Sequence, residues 1–481
     1  MGTQTLPSGS LALLIDGEWL GSDGRGTQEV INPATGRPIG AVPLARVADV
    51  QRAAESAARA FPGWRTTPPQ RRAEIIHRAA ALLRERRDMI ARLLTLEQGK
   101  PLAESLGEVD FSADIIDFSA GEAERLYGTV VPTGPLNQRT LVLVEPIGPV
   151  AAFSPWNYPV CVPARKIAAA LAAGCTMVIK CAEETPTSGV ETVRAFVDAG
   201  VPAGVVNLLF GVPAEISGTL IHSPLIRKVS FTGSIPVGRQ LAALAGQEVK
   251  PCMLELGGHA PVLIFDDADL DKVLPGAVGG KFHNSGQSCG APSRFYVQRG
   301  IYDTFIERFA DLVAKLRVGD GLDPETSMGP LANERRRTAI AELTDDAVES
   351  GADLLLGGSA VGSEGFFWAP TVLANVPDTA RIMNEEPFGP IAAAAPFSTR
   401  DEVIAKANRL PYGLGAYVFT SSVETATVVP RALEVGMVGV NKFTLGGAST
   451  YFGGVKESGY GSEGGPEAVR GYLTPKLIIQ D

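Results

Sequence analysis

The chain has 481 residues, 45% hydrophobic and 20% charged, which is the composition of a folded protein too long for one core. A formal net charge of −10 leaves no basic stripe, so neither nucleic acid nor an anionic membrane is expected as a partner. Cys161, Cys175, Cys181, Cys252 and Cys289 form no C-x-x-C pair and the four histidines no H-x-x-x-H pair, which argues against a disulfide framework or a metal site.

The N-terminus, MGTQTLPSGSLALLIDGEWL, lacks a basic start and has a short apolar run before Asp16. Neither a signal peptide nor a transmembrane segment is expected, and the expected location is cytoplasmic. Apolar residues recurring at three and four predict helices over 46–62, 68–97 and 102–127. The arginines of RRAEIIHRAAALLRERR (71–87) read as the wet face of such a helix. From 139 to 155, RTLVLVEPIGPVAAFSP turns strand-like. Strand–helix units follow, with GPVAAFSP leading to a helix at 160–173 and CTMVIK to one at 186–199. VVNLLFG leads to 213–222, KVSFTGS to 236–246, and PCMLELGG closes the series. Short apolar strands alternating with amphipathic helices predict an α/β fold, a parallel sheet with helices on both faces. After 260 the rhythm restarts with APVLIFDDADLDKVLPGAVGGKF, so a second α/β domain is predicted. The chain ends on an alternating strand, GYLTPKLIIQD, which must return to an early hairpin or add to another subunit's sheet.

Several short stretches can carry chemistry. KFHNSGQSCG (281–290) isolates Cys289 among glycines, serines and amides, as a buried filler or a nucleophile. FTGS (231–234) with Gly238 stands at a strand end before a helix, where backbone amides can meet an anion, although glycine turns are common there. In VIKCAEETP (178–186), Lys180 and Glu183 are a solvated pair or a grip on ribose hydroxyls. Glu255 in LELGG is a general base or a strand's exposed end. Asn157 in SPWNYP (154–159) serves its turn or donates to an oxyanion.

In order and spacing, IDGEW, INPATG, PWNYP, VIKCAEETP, FTGS, LELGG, GQSC, EEPFGP (385–390) and FGGVKESGYGSEGG (452–465) resemble the aldehyde dehydrogenase superfamily over nearly the whole chain. The resemblance implies a Rossmann-type cofactor domain over 1–126 and 147–257, a catalytic α/β domain over 258–457, and an oligomerisation element over 127–146 and 458–481. It implies that the hairpin of that element pairs with the C-terminal strand, and that the protein is a homodimer or homotetramer. It further implies that Cys289 attacks the aldehyde as thiolate, helped to ionise by its surroundings, while Asn157 and the Cys289 N–H hold the oxyanion. Hydride then leaves to the nicotinamide, and Glu255 activates the water that hydrolyses the thioester. By the same resemblance Lys180 and Glu183 hold the adenosine ribose and Glu386 the nicotinamide ribose, with Ser154, Pro155, Trp156, Ala182, Gly233, Ser234, Leu256 and Phe388 lining the cofactor. Glu183 would meet a 2′-phosphate, so NAD is favoured, with NADP possible.

GMVGVN (436–441) and Arg165 in VPARK look like the succinate-semialdehyde branch, where an arginine binds the substrate carboxylate. That branch's second arginine is His283 here, its serine before FGGVK is not clearly reproduced, and Ala291 replaces a partner cysteine beside the nucleophile. A semialdehyde leads, an aromatic or medium-chain aldehyde follows, and Arg165 could also be an ordinary helix-surface arginine. A CoA-acylating relative would commonly lack Glu255, and a silent one has no reason to keep Cys289, Glu255, Asn157 and Lys180 together. A cofactor-free cysteine hydrolase using His283 would leave the nucleotide motifs unexplained.

Overall fold

The computed structural model describes residues 5–6, 11–132, 134–135 and 138–480. Parts of the expected N-terminal segment (1–4, 7–10), hairpin (133, 136, 137) and tail (481) lie outside the described residues. The strands Val150–Phe153, Met177–Lys180 and Val206–Leu209 are buried throughout, because helices cover both sheet faces; they therefore read as continuous apolar runs. With Lys228–Thr232 and Cys252–Glu255 they form the parallel centre of an eight-stranded sheet. A second, seven-stranded sheet is built on Ala260–Ile264, Pro292–Gln298, Thr371–Ala374, Ile391–Phe397, Gly415–Phe419 and Met437–Val440, all parallel, with Asp353–Leu356 antiparallel at its edge.

The terminal strand Leu473–Gln480 runs antiparallel to Arg139–Pro146 of the same chain, with Leu477 opposite Val142, and Thr129–Val131 completes a three-stranded sheet. Gly459–Tyr460 instead joins the edge of the large sheet, with Gly459 opposite Glu255. The segment 458–481 therefore divides between the candidate site and the hairpin. Among the described residues, no helix is long and apolar enough to cross a membrane.

The βα helices lie where periodicity puts them, at Cys161–Ala173, Pro186–Asp198, Pro213–His222 and Ile235–Gln247. The expected helix over 68–97 is two, Pro69–Glu85 and Arg87–Gln98, interrupted at Arg86, whose ψ of 9° leaves the helical range without any Gly or Pro to announce it. The helix expected to reach 127 ends at Ala123. Arg72 is a further correction. It is not on a wet face but buried, donating to the Ala172 and Thr67 carbonyls, since a guanidinium can satisfy carbonyls where two helices meet.

Lys281, in the last turn of Leu270–Phe282, is wholly buried and its Nζ has no hydrogen-bond partner; burial pushes the ammonium down to about 7. A lysine depressed in the fold binds fewer protons than in the unfolded chain between pH 7 and its ordinary 10.5, so its cost to stability is full below 7 and fades as pH rises to 10.5. Lys281→Met is accordingly expected to stabilise by roughly 1–3 kcal/mol at pH 6, with little gain at pH 10.5. Denaturant titrations at the two pH values test this; an equal or reversed difference contradicts it.

Candidate active site

Open parallel sheets bind ligands beyond the carboxyl ends of their strands, and a cavity of ≈ 990 Å³ opens there. Val150–Phe153 leads into Pro155, Trp156 and Asn157, Lys228–Thr232 into Gly233 and Ser234, and Cys252–Glu255 ends on Glu255 beside Leu256. The other wall brings Cys289, His283, Glu386 and Phe388, and Arg165 also lines the cavity. Twelve sequence-predicted positions thus meet in one space. Ser154, Lys180, Ala182 and Glu183 do not line it. They lie along the neighbouring strand ends, where the Ser154 N–H donates to the Lys180 carbonyl at 3.0 Å.

Cys289 follows a tight turn. Asn284 and Ser285 both have positive φ (49° and 54°), a conformation that non-glycine residues hold only when their surroundings impose it. The Asn284 amide donates to the Asn157 carbonyl at 2.9 Å and its oxygen accepts from Gln98 at 2.8 Å; the Ser285 hydroxyl donates to the Gly329 carbonyl at 2.8 Å. Past the turn, the Tyr417 hydroxyl donates to the Gly290 carbonyl at 2.6 Å. The thiol is half-buried. At Gly258 a Cβ would stand 2.5 Å from the Cys289 carbonyl oxygen, so only glycine lets the two walls approach this closely.

Asn157 is anchored through its backbone. Lys100 donates to the Asn157 carbonyl at 2.8 Å and pairs with Glu108 at 2.6 Å, while Glu108 accepts the N–H groups of Val160 and Cys161 at 2.9 and 3.1 Å. A fully buried ion pair thereby caps the helix that starts at Cys161. The Asn157 amide points toward the Cys289 turn, donating to the Gln287 carbonyl at 3.1 Å. No local sequence pattern marks Lys100 or Glu108, whose bonds to the Asn157 carbonyl and the Val160 N–H span more than 50 residues.

The electrostatics differ from expectation at the thiol. Burial, then the carboxylates of Glu386, Glu255 and Glu463, push Cys289 up to about 12 against the opposing pull of its own backbone N–H, so in the ligand-free chain the surroundings on balance oppose ionisation. Glu255 is buried, and neither oxygen has a hydrogen-bond partner; desolvation and the neighbouring Glu463 raise it well above the ordinary carboxylate range. Glu463 pairs closely with Lys166 and accepts from Thr232 at 2.9 Å. Burial lifts Glu386 to about 7, although it accepts the Gly258 N–H at 3.1 Å.

The strand-end residues fit a dinucleotide. Glu183 is buried, accepting from the Gly211 N–H at 2.7 Å and pairing with Lys180 at 2.7 Å, so the alternative of a solvated pair is excluded. Gly233 donates to the Glu255 carbonyl at 3.0 Å and presents bare backbone to the cavity. Trp156 meets Phe388 edge-on at 5.6 Å, and Phe388 itself holds a positive φ of 45°. Arg165 is buried between the rings of Phe111 (5.5 Å) and Phe452 (4.8 Å) and donates to the Glu463 carbonyl at 3.1 Å, so it is no surface arginine. His283 is partly exposed, stacked on Tyr158 and 3.4 Å from Glu104. Thr450, near the branch's serine position, bonds within its own loop to Gly447.

Known proteins agree with this architecture. The model of the aldehyde dehydrogenase family matches residues 19–478. A 4-(hydroxymethyl)benzenesulfonate dehydrogenase of Comamonas testosteroni is 49% identical over 471 residues, 97% of each chain. The NADP(+) succinate-semialdehyde dehydrogenase of Escherichia coli is 43% identical over 97% of this chain and 96% of its own. The crystal structure of succinate-semialdehyde dehydrogenase from Burkholderia pseudomallei superposes with a TM-score of 0.97 at 40% identity, covering 99% of both chains. With a parallel-sheet cofactor domain, a second α/β domain, and cysteine, glutamate and asparagine facing one cavity between them, the chain belongs to the aldehyde dehydrogenase family.

Proposed function

We propose that this enzyme oxidises aldehydes carrying a distal acid group to the corresponding carboxylic acids, with Cys289 as nucleophile and NAD as preferred acceptor. Arg165 carries the substrate assignment. Its guanidinium is buried in the cavity wall, and no carboxylate of the described residues stands within 4 Å of it. A cation so placed is left for an anionic ligand to neutralise, and the planar fork matches a carboxylate or sulfonate. The relatives named above act on substrates with those two groups.

The bound dinucleotide would supply the hydride acceptor and a positive charge near the thiol. Cys289 Sγ adds to the carbonyl carbon, and Asn157 Nδ2 and the Cys289 N–H stabilise the oxygen as it gains charge. Glu255, once deprotonated, takes a proton from the water that cleaves the resulting thioester. Lys180 and Glu183 would hold the adenosine ribose, and the Glu183 carboxylate disfavours a 2′-phosphate there. The exposed Leu477 and Ile479 on the terminal strand support a homo-oligomeric contact through the hairpin sheet.

A wall that includes Phe111, Phe443, Phe452 and Tyr417 favours a second reading, an aromatic aldehyde bearing a sulfonate or carboxylate. Both readings require Arg165. Arg165→Met is expected to lower kcat/KM for succinate semialdehyde by about 10–100-fold, the range for a charge-assisted hydrogen bond, while butanal changes by less than about threefold. Equal losses on both aldehydes would show that Arg165 shapes the cavity rather than reads the acid.

A further inference from the structure

One buried side chain joins the two segments that meet at the candidate thiol. Asn284 does not line the cavity; it lies fully buried behind it, with a backbone φ of 49°. Its amide donates twice, to the Asn157 carbonyl at 2.9 Å and to the Gln287 carbonyl at 3.2 Å. The direction of that amide is fixed from the far side. The Lys100 N–H donates to the Gln98 side-chain oxygen at 3.0 Å, which turns the Gln98 amide nitrogen to the Asn284 oxygen at 2.8 Å. A flipped Asn284 would set its oxygen against two carbonyls and its nitrogen against another nitrogen, so the chain of donors has one sense. Gln98 and Gln287 are buried as well, and the Gln287 side-chain oxygen accepts the Ala332 N–H at 2.9 Å. Buried amides bonded this fully hold one arrangement.

The two carbonyls belong to the two segments that carry the candidate oxyanion donors. Asn157 brings its own amide, which also donates to the Gln287 carbonyl at 3.1 Å, and Gln287 stands just before Ser288 and Cys289. Lys100 holds the same Asn157 carbonyl but ties it to Glu108, not to the turn of the thiol. We propose that Asn284 is a positioning residue that sets the gap between the Asn157 amide and Cys289, and with it the width of the oxyanion hole. This rests on the reading of Cys289 as nucleophile and Asn157 as oxyanion donor. The Cys289 N–H moves with its own thiol, whereas the Asn157 amide arrives on a separate segment and needs a tie. An oxyanion donor works only at about 2.7–3.1 Å from the oxygen that gains charge, and a misplacement of ~1 Å can cost about 10²-fold in rate.

Single-turnover reduction of NAD+, followed by absorbance, tests it with succinate semialdehyde or benzaldehyde, whichever the wild type oxidises faster. The proteins compared are wild type, Asn284→Gly, Gln98→Met, Asn157→Ala, and the two double variants that carry Asn157→Ala. Glycine accepts the positive φ, so the turn persists while the tie is lost. Gln98→Met leaves the residues of the turn in place and removes the group that orients Asn284. Asn284→Gly is expected to slow reduction about 10–100-fold and Gln98→Met about 3–10-fold, with NAD+ affinity within about twofold of wild type in both. In the Asn157→Ala background each substitution should cost less than about twofold, because the tied donor is already gone. Wild-type rates in both single variants, or equal losses in the two backgrounds, would overturn the proposal; equal losses would mean that these side chains merely shape the turn. Reduction by Asn157→Ala at the wild-type rate would instead defeat the oxyanion reading, and the proposal with it.

Discussion

Cys289→Ala is expected to lower aldehyde-dependent reduction of the dinucleotide by at least about 10⁴-fold while leaving its binding intact, because the proposed nucleophile alone is removed. The half-buried thiol packs little volume, so the variant should fold normally. The titration direction adds a sharper test. With the thiol held up to about 12 in the ligand-free protein, alkylation by iodoacetamide should be slow at pH 7 and rise about tenfold per pH unit up to pH 10. Adding dinucleotide should speed alkylation at pH 7, since a positive ring offsets the Glu386, Glu255 and Glu463 carboxylates. Fast alkylation of the free protein at pH 7, with a plateau below pH 8, would mean that some group of the protein activates the thiol after all.

Glu255→Gln should separate the two halves of the reaction. The amide keeps the size of the side chain but cannot accept a proton, so thioester hydrolysis should slow by about 10²–10⁴-fold, the usual worth of a positioned general base. A rapid burst of roughly one reduced dinucleotide per subunit should precede the slow phase, with an acyl adduct on Cys289 visible by intact-protein mass spectrometry. In the wild type, turnover should rise with pH as Glu255 loses its proton above the ordinary carboxylate range, because burial and Glu463 favour its neutral form. Turnover near the wild-type rate with no adduct would remove Glu255 from the hydrolytic step.

The sheets were legible because strands buried on both faces leave short apolar runs between amphipathic helices, as MVIK and VNLL do. The break at Arg86 was not, since no glycine or proline marks it. At the site, each motif residue at a strand end lies in or beside the cavity, because glycines and turns fix those positions locally. What supports them is non-local. Lys100 and Glu108 brace Asn157 across more than 50 residues, and Gln98 reaches Asn284 across 186. Glu463 lay in a recognised segment, yet its closeness to Lys166 and Glu255 depends on Gly459–Tyr460 joining the large sheet. The direction at Cys289 is hidden for a related reason: sequence shows a polar neighbourhood, whereas the three carboxylates that raise the thiol arrive from other segments.

The most direct measurement is steady-state reduction of NAD+ and NADP+ by the wild-type protein with aldehydes paired by the presence of an acid group. Succinate semialdehyde would be set against butanal, and benzaldehyde carrying a para-sulfonate against benzaldehyde. The acid-bearing member of at least one pair should have the higher kcat/KM by about tenfold or more, as expected for one charge-assisted contact, with NAD+ the better acceptor. Equal or higher kcat/KM for both neutral aldehydes would contradict the account, because the buried Arg165 would then have no anion to read.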